Sequence, residues 1–250
     1  MMSDSETSSW PANARERIVV ALDVESEVEA YAIAAELRGA VGAFKIGLQL
    51  FTAAGPQMVR RFVEDGFKIF LDLKFLDIPN TAANASVEAA RLGVWMFNLH
   101  ASGGREMMRR ASEAVSESCD RENRDRPIMI GVTVLTSSDS NSMSELGIGE
   151  SVSKHVQRLA RLAFDSGLDG VVASAQEIGP VRAAVNNDHF LTVTPGIRSG
   201  SATVDDQKRV TTLTAALTAG SDYVVIGRPI TSSKDRIEAV DRMLEEKISE

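Results

Sequence analysis

Residues 70–81 read FLDLKFLDIPNT and set Asp72 and Lys74 two positions apart. Side chains two apart on an extended strand share a face, so a carboxylate and an ammonium would project from the same side. Asp77 follows in the turn before Pro79. Proline suits the first turn of a helix, its φ preset and its N–H absent, so Asp77 should ride a rigid loop. Asp23 closes the apolar run IVVAL and Lys45 lies in FKIG, which adds a second acid and a second base. Acids and bases alternating at one end of a sheet could do electrostatic or proton-transfer work; a structural ion network is the competing account. Packing preference alone is not expected to collect charge at a strand end.

Two further stretches suggest a different task. TPGIRSG at 194–200 and IGRPIT at 226–231 each follow an apolar segment and each carry an arginine, Arg198 and Arg228. The guanidinium fork matches phosphate oxygens, and the Gly227 backbone can approach an anion beside a helix start. A phosphorylated small molecule fits both. Solvated rim charges are the plainer alternative.

These residues need a frame to bring them together. Short β-rich apolar segments recur at 18–22, 43–46, 68–73, 94–99, 128–134, 170–173, 190–193 and 223–226. Longer stretches with helical spacing separate them, such as Val152, Val156, Leu159, Ala160 and Ala163, or Ile237, Val240 and Leu244. Strands apolar at nearly every position suit a parallel sheet covered on both faces. Eight units of about thirty residues predict a single-domain α/β fold, a (β/α)8 TIM barrel over 16–250. A doubly wound open sheet is the structural competitor, although no glycine-rich dinucleotide fingerprint follows the first segment. In a barrel the two arginine stretches would be the loops after strands 7 and 8, where such folds commonly hold phosphate. The connections 136–150 and 198–206 are long and polar, and are read as flexible candidate lids.

Composition bounds the rest. With 27 basic against 35 acidic residues the net charge is −8, which disfavours nucleic acid as a partner. No apolar run approaches the roughly 18 residues that cross a bilayer, and residues 1–15 are polar where a signal peptide would be basic and then greasy. They read as a loose leader. The lone Cys119 cannot form an internal disulfide, and the chain is expected in the cytoplasm. His100, His155 and His189 are dispersed and make no metal-ligand pattern; His100 is expected in a structural hydrogen bond. Met107, Met108, Trp10 and Trp95 are read as packing.

Taken in order, VALD at 20–23, FKIG at 44–47, DLKFLDIPNT at 72–81, VLTSS at 134–138, TPGIR at 194–198, DDQKR at 205–209 and GRPIT at 227–231 resemble the bacterial branch of the orotidine 5′-monophosphate decarboxylase family. Only the stretch before about Arg17 lies outside the resemblance. Many relatives carry a histidine where this chain has Leu76, a position with no charged role. The resemblance implies conversion of orotidylate to uridylate and carbon dioxide, the last step of uridylate biosynthesis, by a cofactor-free homodimer without metal. It implies Lys74 as proton donor to carbon 6 and Asp72 against the departing carboxylate, with Lys45 and Asp77 completing the charged array. Asp23 and Lys45 would meet the ribose, Thr136 the pyrimidine, and Arg198, Gln207, Gly227 and Arg228 the phosphate and its closing loop, with Pro195 as a further substrate contact. Asp77 and Thr81 would reach into the neighbouring subunit's site.

Loss of carbon dioxide from a vinylic carbon leaves a carbanion with no carbonyl to share it. A preorganised lysine ammonium can stabilise that charge and then protonate it. The closest rival is a magnesium-dependent phosphosugar decarboxylase or synthase of the same superfamily. Its metal wants a carboxylate at the end of the second strand, where this chain has Lys45, which cannot ligate a cation. A silent nucleotide-binding barrel is a further alternative, though it need not keep Lys74 between carboxylates.

Overall fold

A computed structural model of the chain describes residues 14–198 and 211–246. Eight parallel strands pair in chain order, and the last closes on the first: β1 (Ile18–Ala21), β2 (Ala43–Gly47), β3 (Ile69–Phe75), β4 (Met96–His100), β5 (Ile128–Val132), β6 (Gly170–Val172), β7 (Leu191–Thr194) and β8 (Tyr223–Ile226). The β1–β8 register, Val19 against Val225, removes the open-sheet alternative. Helices α1 (Glu27–Glu36), α2 (Leu48–Glu64), α3 (Pro79–Arg91) and α4 (Gly104–Glu122) wrap the first half. The second half carries α5 (Ser140–Glu145), α6 (Val152–Asp165), α7 (Ile178–Val185), α8 (Leu213–Thr218), α9 (Arg228–Thr231) and α10 (Arg236–Glu245).

Strand alternation divides two cores. Ile18, Val20, Phe44, Ile46, Ile69, Leu71, Phe97 and Leu99 face outward into the helices. Val19, Ala43, Phe70, Met96, Ile130, Val193 and Val225 face inward and fill the barrel's lower interior. Burying side chains of this size stabilises the fold by about 1.5–3 kcal/mol each. Following each inward column toward the C-terminal end, residues two apart change character: Ala21 to Asp23, Ala43 to Lys45, Phe70 to Asp72, Met96 to Asn98. The site is thus the polar upper layer of a dry interior.

Helix starts follow the local chemistry. Ser26, Asp139, Ser151, Thr212 and Asp235 each accept from a backbone N–H in the first turn of the helix they precede. Asp139 corrects the reading of 136–150 as flexible throughout, because it caps α5, whose Met143 is buried. The third strand runs past its expected end at residue 73 to Phe75, and the fifth stops at Val132. In α10 the buried stripe is Ala239, Val240 and Met243, while Ile237 is exposed. Met107, Met108 and Cys119 are buried in α4, and burial pushes the Cys119 thiol up. Trp10, the leader before Ala14, residues 199–206 and Gln207 lie outside the described residues. Among the described residues no helix is long and apolar enough to cross a membrane.

Candidate active site

The charged layer forms one connected row across the ends of β1, β2 and β3. Lys45 Nζ bonds Asp23 Oδ1 at 2.9 Å and lies 3.3 Å from Asp72 Oδ2. Lys74 Nζ bonds the other Asp72 oxygen at 2.6 Å. Asp23, Lys45, Asp72 and Lys74 therefore alternate in space as their types suggested. Lys45 and Asp72 are nearly buried, with side chains 10% and 12% exposed, whereas Lys74 retains 29% and Asp23 58%. Burial alone would push Lys45 down, but the Asp72 and Asp23 carboxylates outweigh it and hold the ammonium above the usual lysine range. Burial would likewise raise Asp72, yet Lys45 and Lys74 bring it below the usual carboxylate range. Both groups are charged at neutral pH.

Two residues in this layer were not anticipated. Asn98 on β4 donates from Nδ2 to Asp72 Oδ1 at 2.6 Å and accepts the Lys74 N–H on Oδ1 at 2.8 Å. Gly47 leaves room for the ion pair, since a Cβ there would stand 3.0 Å from Lys45 Nζ and 3.3 Å from Asp23 Oδ1. Lys74 itself has φ 54°, a left-handed conformation uncommon for a side-chain-bearing residue. His100 departs from expectation: its ring makes no hydrogen bond among the described residues. Burial, then the Lys74 charge, push this imidazole below its usual range against the pull of Asp72. His155 lies on the buried face of α6, with its Nδ1 2.6 Å from Glu150 Oε1.

The row opens into a cavity of about 560 Å³ at the C-terminal end of the barrel. Phe70, Val132, Val172, Val193 and Val225 supply its apolar part. Thr136 borders it beyond β5, Pro195 and Arg198 beyond β7, and Gly227 and Arg228 beyond β8. Arg228 is the first residue of α9, with Pro229 behind it, so the helix begins at the cavity wall. Asp77 and Thr81 do not line the cavity of their own chain. Both are exposed around the start of α3, where Asp77 Oδ1 accepts the Ile78 N–H at 2.7 Å. Among the described residues no group of three or more His, Cys, Asp or Glu side chains is placed to hold a metal ion. An apolar pocket with a buried ion row on one side and two arginines on another suits a flat ring joined to an anionic tail.

Comparison with known proteins agrees with that geometry. The family model described as "Orotidine 5′-phosphate decarboxylase / HUMPS family" matches residues 16–243. The chain belongs to this family. It is 50% identical to orotidine 5′-phosphate decarboxylase of Syntrophotalea carbinolica over 233 residues, 93% of this chain and 95% of that protein. It is 50% identical to the protein of that name from Geobacter metallireducens, covering 93% and 96% of the two chains. Among solved structures, orotidine 5′-phosphate decarboxylase from Lactobacillus acidophilus superposes with a TM-score of 0.78 at 33% identity, covering 91% of this chain and 97% of that one. An uncharacterized conserved protein from Geobacillus kaustophilus gives 0.79 at 36% identity over 91% and 98%. The family match spans the barrel from before β1 into α10, so it takes in every strand that builds the ion row.

Proposed function

We infer that the chain releases carbon dioxide from orotidine 5′-monophosphate to give uridine 5′-monophosphate, as a carboxy-lyase of pyrimidine nucleotide biosynthesis. The observation that carries this is the Asp23–Lys45–Asp72–Lys74 row facing a cavity whose other wall holds Arg198 and Arg228. In this reading the phosphate sits against Arg198, the Gly227 backbone and Arg228, and Gln207, outside the described residues, is a further phosphate contact. Asp23 and Lys45 take the ribose hydroxyls, and Thr136 and Pro195 flank the base. Carbon 6 then lies at Lys74 with its carboxylate toward Asp72.

The bond from carbon 6 to the carboxylate breaks, its electron pair stays on carbon 6, and carbon dioxide departs. The Lys74 ammonium stabilises that pair in place and transfers a proton to it, then regains one from solvent. Asp72, already ionised and buried, disfavours a second carboxylate beside it until that group leaves as a neutral molecule. Binding energy from the remote phosphate helps to hold the two carboxylates together.

Asp77 and Thr81, exposed on the α3 side of their own barrel, complete the site of a second copy, so the active unit is a homodimer. The barrel, matched by the family model over residues 16–243, is the catalytic domain, and the enzyme works in the cytoplasm. Incubation with orotidylate labelled in its carboxyl carbon should release labelled carbon dioxide and an equal amount of uridylate. A folded dimer inert to orotidylate, but active on a hexulose phosphate with magnesium, would overturn this function.

A further inference from the structure

Strand β4 sets one neutral polar side chain among the charges of the barrel interior. Asn98 is 1% exposed. Its neighbours Phe97 and Leu99 face the helices, so it shares the inward face with Met96 below it. One of its two bonds fixes the other. The Lys74 N–H can only donate, so the amide oxygen must face it, and the NH₂ is then left to face Asp72 Oδ1.

The geometry of β3 explains why Lys74 bonds a side chain there. Pairing with β4 runs Phe70 to Met96 and Leu71 to Phe97, then resumes at Phe75 to Leu99, so four steps on β3 match two on β4. Lys74 takes its left-handed φ inside this bulge. Bulges of this kind re-aim a side chain, and a strained residue persists only where its surroundings hold it. Asn98 bonds the main chain at the strained residue and, with the same amide, the carboxylate that Lys74 Nζ bonds at 2.6 Å.

We propose that Asn98 is a positioning residue: it clamps the Lys74 main chain and the Asp72 carboxylate in one geometry, so that the ammonium meets carbon 6 already aimed. Its part in turnover rests on the decarboxylation inferred above, whereas the clamp itself does not. Asp72 is faced by Lys45 from β2, Lys74 from its own strand and Asn98 from β4. Asp23 beyond β1 bonds Lys45, and His100 lies within electrostatic reach. Of these three partners among the described residues only Asn98 is neutral, so replacing it disturbs geometry without deleting a charge.

Asn98→Asp keeps the shape and the acceptor for the Lys74 N–H, but turns a donor toward Asp72 into a second carboxylate, which can donate again only when protonated. Asn98→Leu removes both bonds. The Asp variant should lose about 10- to 100-fold in kcat near neutral pH, the range of one lost hydrogen bond to a charged group. Its KM should change less than about threefold, because the phosphate grip is untouched. Its kcat relative to wild type should recover as pH falls, while the Leu variant should show a loss flat with pH.

A carbon-13 titration of the Asp72 carboxyl in ligand-free protein reads the clamp without substrate, and Asn98→Leu should move it upward. Should the Leu variant not fold, the isosteric Asp variant decides. Folded variants with wild-type kcat, pH profile and Asp72 titration would overturn the proposal, as would losses that merely track the folded fraction. Wild-type protein inert to orotidylate would defeat the decarboxylase reading instead, and the titration would still judge the clamp.

Discussion

At the N-terminal end of the barrel, Asp222 accepts from the Thr192 N–H at 2.6 Å and from Arg182 at 2.6 Å, and Asp169 accepts from the Met129 N–H at 2.7 Å and from Arg126 at 2.7 Å. Arg17 donates to the carbonyls of Ser221 and Asp222. At the other end, Asp72 accepts from Lys45, Lys74 and Asn98, all through side chains, beside an open cavity of about 560 Å³. Both ends therefore collect charge, which corrects the expectation that packing does not put it there. Carboxylates below tie strand backbones together; the carboxylate above holds ammonium groups beside a space that a ligand can enter. The lower end has a pocket too, of about 310 Å³ beside Asp222, so what separates the ends is the partners: backbone N–H groups share Asp222 and Asp169, whereas Asp72 is held by side chains beside the larger cavity.

The comparison breaks most visibly at Lys74. Lys74→Ala and Asp77→Ala should each lower kcat by about 1000-fold or more while leaving the melting temperature near wild type. Mixing the two variants should restore part of the activity, since a hybrid dimer has one site with both residues. Failure to complement would remove Asp77 from the neighbouring site. Arg228→Ala should weaken uridylate binding by about 10- to 100-fold and leave uridine binding unchanged, as isothermal titration would read it. Equal losses for both ligands would sink the phosphate assignment.

At the opposite end, Asp222→Asn should cost about 1–3 kcal/mol of stability in a denaturant titration, with kcat within about twofold of wild type. A large loss of kcat there would erase the distinction between the ends.

Asp72 links both properties. A group depressed by folding contributes stability that is present above its unfolded pKa and lost as pH falls through the native one. The melting-temperature advantage of wild type over Asp72→Asn should thus be present at neutral pH and fade below about pH 4. The smallest effect is expected at Gly47→Ala, a few-fold loss of kcat from crowding Lys45 and Asp23.

Legibility in the sequence followed the strength of each physical signal. Runs such as IVVA and YVVI announced their strands because parallel strands covered on both faces are apolar throughout. The extension of β3 through Lys74 to Phe75 was hidden, since Asp72 and Lys74 interrupt the apolar run. Helix α5, SNSMSE, has too little apolar periodicity to stand out from a polar loop. Of the site, the charged residues were readable from type and spacing, while the roles given to them came with the family resemblance. Asn98 escaped because an amide in an apolar strand adds no charge; counting inward positions from Met96 would have found it. The bulge that turns Lys74 left-handed leaves no glycine or proline as a marker.

The most direct test follows orotidylate absorbance in EDTA with wild-type protein and Lys74→Ala prepared alike. The expected result is turnover by wild type and its loss in the variant. A folded, dimeric wild-type protein that leaves orotidylate untouched, or a Lys74→Ala variant that still turns it over at the wild-type rate, would contradict the account.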